Sequence, residues 1–133
     1  MFGLIKQRRS RARVARAIDE KRQKTDHNLH IQKERRRLEK EIGQLEKRHT
    51  KATKAYKQTG NHAAGGEFRT AAFVARAAGF FGAASDLERC KEPLCFAEEQ
   101  NDRTALAGAQ MRQEIEKIED RIQELKGQLE RLR

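Results

Sequence analysis

From Met111 to Leu132 the apolar residues fall at Met111, Ile115, Ile118, Ile122, Leu125, Leu129 and Leu132, in alternating steps of four and three. Glu, Lys, Arg and Gln fill most of the positions between them. An apolar seam with this period winds along one side of a helix and demands a second helix to cover it. Ile115, Ile122 and Leu129 take a positions; Met111, Ile118, Leu125 and Leu132 take d positions. In a parallel homodimer the flanking residues would set Glu114 against Glu119 and Arg121 against Lys126, both repulsive. That arrangement is disfavoured.

A second, weaker heptad supplies a partner within the chain. Ile31, Leu38, Ile42, Leu45, Ala52 and Tyr56 carry it, with Arg35 and His49 as polar intruders. Run antiparallel, the two helices are expected to pair residues whose numbers add to 160: Leu38 with Ile122, Ile42 with Ile118, Leu45 with Ile115, Ala52 with Gly108. Glu41 then faces Arg121, Arg48 faces Glu114 and Glu46 faces Arg112. Glu39 with Glu119 is the one repulsive pair. Each exposed pair contributes only a few tenths of a kcal/mol, so their agreement selects orientation more than it adds stability.

The expected fold is all-α: a long antiparallel coiled-coil helical hairpin with an Ala/Gly/Phe-rich helical tip and a basic N-terminal arm. Four segments follow: an arm over 1–27, a first coiled-coil helix over 28–59, a tip over 60–100 and a second coiled-coil helix over 101–133. Thr25, Asp26, His27 and Asn28 are weak helix formers and predict a break or kink after the arm. Gly60, Asn61 and the Gly65-Gly66 pair read as a linker. Within the tip, Phe73, Ala77, Phe80, Ala84 and Leu87 repeat at four and three, while Gly79 and Gly82 bracket Phe80-Phe81. The segment is one helix or two short ones, and Ser85-x-x-Glu88 has the form of a capping box. The last helix starts at Pro93 or at Asn101-Asp102.

A composition of 38% charged and 5% aromatic residues, with no Trp, suits long helices rather than a thick core. The net charge of +10 is unevenly spread. Residues 1–24 hold nine basic and two acidic groups, a net +7, and residues 25–58 hold ten and five, a net +5. Residues 59–100 stand at −2 and 101–133 at zero, so the whole excess lies in the first 58 residues. A basic half of this kind wants an anionic partner.

Candidate nucleic-acid-binding residues are Lys6, Arg8, Arg9, Arg11, Arg13, Arg16 and Arg22, because guanidinium groups spaced along a helix can follow a phosphate backbone. Such contacts hold nucleic acid without reading its sequence. The first 18 residues resemble arginine-rich RNA-binding peptides in composition, and no family motif accompanies that likeness. Phe2, Leu4 and Ile5 before the basic run also fit a membrane-surface adaptor. An Arg-rich, acid-poor start fits an organellar presequence, though Ser10 is its sole hydroxyl among the early residues. A plain solvated tail is the fourth alternative. Lys47, Lys51 and Lys54 share a face that could extend the arm's basic stripe.

Candidate self-association residues are Phe73, Phe80 and Phe81 at the tip and Ile115, Ile118, Ile122 and Leu125 along the seam. Phe80 and its neighbours serve either as a missing core or as a docking surface. His27 and His30 are three apart, and Cys90 and Cys95 would complete a four-ligand metal set. The hairpin separates the two pairs, and a four-residue gap between the cysteines departs from zinc-knuckle spacing. No metal and no cofactor is therefore expected.

P-loop, dinucleotide-binding and zinc-protease motifs are absent from the sequence. A non-enzymatic accessory or assembly protein is expected, holding nucleic acid by its arm and forming homo-oligomers through its helices. The alternative is a structural component of a larger assembly, such as a virion or secretion machine, with its arm on an acidic protein neighbour. Two cysteines outside any disulfide framework predict a reducing intracellular compartment, cytoplasmic or within a virion. No secretory signal or spanning segment is expected, since Thr70 to Ser85 is interrupted by Arg76 and is shorter than a bilayer requires.

Overall fold

The computed structural model describes the backbone of residues 2–90 and 97–132, with side chains from residue 6 onward. These residues are all-helical. They form α1 (Phe2–Ala64), α2 (Phe68–Ala77), α3 (Phe81–Arg89) and α4 (Ala97–Arg131), with no strand among them.

Helix α1 is 63 residues long and passes without interruption through Thr25, Asp26, His27 and Asn28, where a break was expected. Each of these residues costs only a few tenths of a kcal/mol relative to alanine, too little to stop a helix with no proline in it. The Thr25 hydroxyl donates to the Lys21 carbonyl at 2.9 Å, which keeps the side chain within the helical hydrogen-bond pattern. Gly60 and Asn61 also stay helical, so the chain turns later than the linker predicted. The turn falls on Gly65-Gly66, where Gly66 has φ +77 and the Glu67 amide donates to the His62 carbonyl at 2.8 Å. A left-handed residue at a helix end is the ordinary use of glycine.

The central segment resolves into two short helices. Gly79 turns between them with φ +90, and the Phe80 amide donates to the Ala75 carbonyl at 2.9 Å. Ser85 and Glu88, expected as a capping box, sit inside α3; Glu88 instead pairs with Arg76 of α2. Asn101 and Asp102 likewise lie within α4, which begins at Ala97. Pro93, the other proposed start, lies outside the described residues.

Helix α1 packs on α2 and α4, and α3 packs on α2 and α4. Along the shaft the core uses Leu38, Ile42, Ile118, Ile122 and Leu125; at the α2–α3 end it is mostly alanine, with Phe80 and Leu87 as the large members. Small side chains let four helices approach closely where two short ones must fit. Gly82 shows this directly: a Cβ there would meet Gln110 Oε1 at 3.0 Å. Gln110 in turn donates to Asp86 at 3.2 Å, tying α3 to α4.

Helices α1 and α4 run in opposite directions. The Arg35 guanidinium donates to the Leu132 carbonyl at 3.1 Å, Arg121 meets Glu41 at 3.3 Å, and His49 Nε2–H donates to Glu119 at 2.8 Å. Further along, Tyr56, Thr59 and Gly60 face Gly108 and Met111 across a shared cavity. These contacts correct the expected register. Arg35 with Leu132 adds to 167, one heptad beyond 160, and the flanking pairs Glu41 with Arg121 and Glu46 with Lys126 add to 162 and 172, evenly either side of it. Glu41 keeps its expected partner Arg121, whereas Glu46 meets Lys126 at 3.5 Å instead of Arg112. Like-charged or mixed flanks are nearly degenerate in energy, so they did not decide the register. The alanines and glycines at the α2–α3 end did, because Ala52, Ala55, Thr59 and Ala63 must all be buried there.

Candidate nucleic-acid interface

The shifted register ends α4 opposite Arg35, so the overhanging part of α1 is longer than the sequence suggested. Every described side chain from Lys6 to His30 is exposed. At 1.5 Å per residue this stretch extends about 37 Å as a bare helix. Lys6, Arg9, Arg13 and Arg16 repeat at three, four and three and share one face of it, while Arg8, Arg11 and Arg22 share another. Asp19 and Glu20 are the first acids the chain meets.

Arg37 is the arginine of α1 that acids engage, and the seven candidate cations lie before it. Arg37 bonds Glu34 at 2.9 Å and approaches Glu41 at 3.8 Å. The hydrogen bond from Arg37 holds the Glu34 carboxyl below the usual glutamate range, and the reciprocal bond raises Arg37. Arg121 is raised in the same way, first by Glu124 and then by Glu41. Among the described residues, no ion pair engages Lys6, Arg8, Arg9, Arg11, Arg13, Arg16 or Arg22. Their charges are uncompensated and point in more than one direction, which suits a flexible polyanion that can be contacted from several sides. Lys47, Lys51 and Lys54 are also exposed and continue the positive surface along the shaft.

In sequence, Val14 and Ile18 mark a weak apolar face on the arm. Val14, Ile18 and Leu29 are exposed at 56%, 45% and 50%. Their spacings of 4 and 11 place them on one side of the helix, the side that also carries Arg11 and Arg22. Leu29 extends that weak face beyond Ile18.

The candidate self-association residues separate into two groups. Phe73 and Phe81 are 71% and 67% exposed, on the α2–α3 surface. Phe80 is 3% exposed and belongs to the core, the first of the two roles the sequence allowed it. Ile118, Ile122 and Leu125 are buried within the chain, and Ile115 packs against that core. Phe2, Leu4 and Ile5, on which the membrane alternative leans, lie outside the described side chains.

His27 and His30 are exposed on the overhang, whereas Cys90 is buried at the end of α3 with its thiol donating to the Asp86 carbonyl at 3.5 Å. Cys95 lies outside the described residues. Among the described residues no three His, Cys, Asp or Glu side chains gather as a metal site would require. No described helix is long and apolar enough to cross a membrane. The chain matches no known protein-family model, no curated protein and no solved structure.

Proposed function

We propose that this chain is a non-enzymatic assembly protein, a coiled-coil hairpin that holds nucleic acid through its basic N-terminal arm. Phosphates are the ligand, DNA or RNA without sequence preference, and Lys6, Arg8, Arg9, Arg11, Arg13, Arg16 and Arg22 are the contacts. Phe73 and Phe81 carry self-association, joining arms into an array on one polyanion. A reducing intracellular compartment, cytoplasmic or within a virion, fits the cysteines. The observation that carries the proposal is the arm: a helix bare of tertiary contact, with seven cations and no acid paired to any of them. A long single helix has little to stabilise it by itself, since most helical stability comes from packing. A partner that neutralises the arm therefore stabilises its helix as well as binding it.

The test is affinity for random duplex DNA and for single-stranded RNA, measured by anisotropy across a salt series. Six basic residues before residue 17 can neutralise about five phosphates, giving a slope of log affinity against log salt of about −4 to −5 on duplex DNA. Arg8→Gln, Arg9→Gln, Arg11→Gln and Arg13→Gln together keep helix propensity and flatten that slope by about 3, weakening all sequences alike. A shallow slope in the parent, or unchanged binding by the quadruple variant, refutes the proposal.

Val14, Ile18 and Leu29 favour a second reading, in which the arm docks on an acidic, partly apolar protein neighbour in a larger assembly. An apolar stripe gains nothing from phosphates but is covered by a protein surface. Val14→Ser with Ile18→Ser separates the two: nucleic-acid affinity stays, and protein docking falls.

A further inference from the structure

At the far end of α1 from the arm, a cavity of about 350 Å³ lies between α1, α3 and α4. That is at the lower end of the size range of small-molecule sites. Two glycines open it. Gly60 of α1 and Gly108 of α4 both line the cavity, both lie inside helices, and a Cβ added to either meets nothing within 4 Å. Interior helical glycine disfavours the helix relative to alanine, so the gap exists at a conformational cost. The walls behind the glycines are apolar, with Leu87 and Met111 buried.

One residue of this lining, Thr59, is a buried polar side chain left unsatisfied. Thr59 is 1% exposed and its hydroxyl has no hydrogen-bond partner among the described residues. The other threonines of the long helices behave differently: Thr25, Thr50, Thr53 and Thr104 each donate to the carbonyl four residues earlier. A buried hydroxyl that forgoes that bond waits for another acceptor. The rim carries two exposed cations, Lys57 and Arg112, and among the described residues no acidic side chain lines the cavity.

We infer that this cavity is a binding site for a small amphipathic anion, a carboxylate with a hydrocarbon body. The apolar walls take the body, the Thr59 hydroxyl donates to an acceptor oxygen, and Lys57 with Arg112 draws the negative charge and repels a cationic head. The site is independent of the arm and of nucleic acid.

Tyr56 also lines the cavity, and it is the only tyrosine in a chain without tryptophan. Tyrosine fluorescence therefore reports this site alone. The full chain is titrated with octanoate, octanol and octylamine below their micelle concentrations, and calorimetry provides the stoichiometry. The expected result is saturable binding of one octanoate, with the alcohol and the amine at least about tenfold weaker, as loss of a charge-assisted bond implies. Thr59→Val keeps the shape of the side chain and lowers octanoate affinity about tenfold. Gly108→Leu fills the cavity and abolishes binding, with helicity by circular dichroism unchanged. Absence of a saturable response, equal affinity for the three head groups, or undiminished binding by either folded variant overturns the inference.

Discussion

Phe80 and Phe81 are adjacent in sequence and opposite in environment, which makes them a sharp test of the packing. Phe80 is 3% exposed at the junction of α2 and α3, and Phe81 is 67% exposed. Burial of a phenylalanine side chain contributes roughly 1.5–3 kcal/mol, and its truncation to alanine costs about 3–5 kcal/mol because a cavity remains. The buried residues of α2 and α3 are largely alanines (Ala71, Ala72, Ala75, Ala83 and Ala84), whose short side chains cannot rotate into the void. Phe80→Ala therefore belongs in the upper half of that range, about 4–5 kcal/mol. For a chain of this size each kcal/mol is worth about 3–5 °C, so Tm falls by roughly 12–25 °C. Phe81→Ala removes a ring that is mostly in water and costs under about 1 kcal/mol. Thermal unfolding followed at 222 nm measures both, and light scattering on the same samples reads the assembled mass. Phe81→Ser with Phe73→Ser is expected to lower that mass while Tm holds. A Phe80→Ala variant that loses less than about 1 kcal/mol, or a Phe81→Ala variant that loses as much as it does, refutes the packing of α2 against α3.

In a background of Cys90→Ser and Cys95→Ser, Ile42→Cys with Leu125→Cys should form a disulfide within one chain, read as a mobility shift on a non-reducing gel. Leu45→Cys with Ile115→Cys should not, because a seven-residue offset separates them by about 10 Å along the axis and a disulfide spans less than about 7 Å between Cα atoms. The opposite pattern would restore the 160 register. For Glu34, the hydrogen bond from Arg37 lowers the folded pKa below the unfolded one. The pair's small stabilisation is thus complete above the unfolded glutamate pKa and disappears as pH falls through the lowered folded value. Arg37→Gln should move the Glu34 titration, followed by carboxyl-carbon NMR, upward toward the ordinary range; an unmoved titration shows the pair does not form in solution.

The sequence by itself determined the helical class and much of what lines up with what. A seam at four and three from Met111 to Leu132 allows no other regular structure, and Glu41 against Arg121 followed from register and charge. Heptad periodicity repeats every seven residues, however, so it cannot tell one register from the next. Flanking pairs worth a few tenths of a kcal/mol cannot either. Only the tertiary structure decided that, through the alanine-rich α2–α3 end, where close packing requires Thr59 and Ala63 to be buried against α4. The same packing put Phe80 inside and Phe81 outside, a choice that adjacent phenylalanines leave open until the Gly79 turn fixes the start of α3. Weak formers at Thr25 to Asn28 suggested a break because local propensity was weighed alone; the flanking helical residues outweigh it. Gly60 and Gly108 are 48 residues apart in sequence, and nothing local marks them as neighbours. Antiparallel pairing of α1 with α4 brings the two gaps together beside the Thr59 hydroxyl, and a cavity is a property of that encounter rather than of either helix.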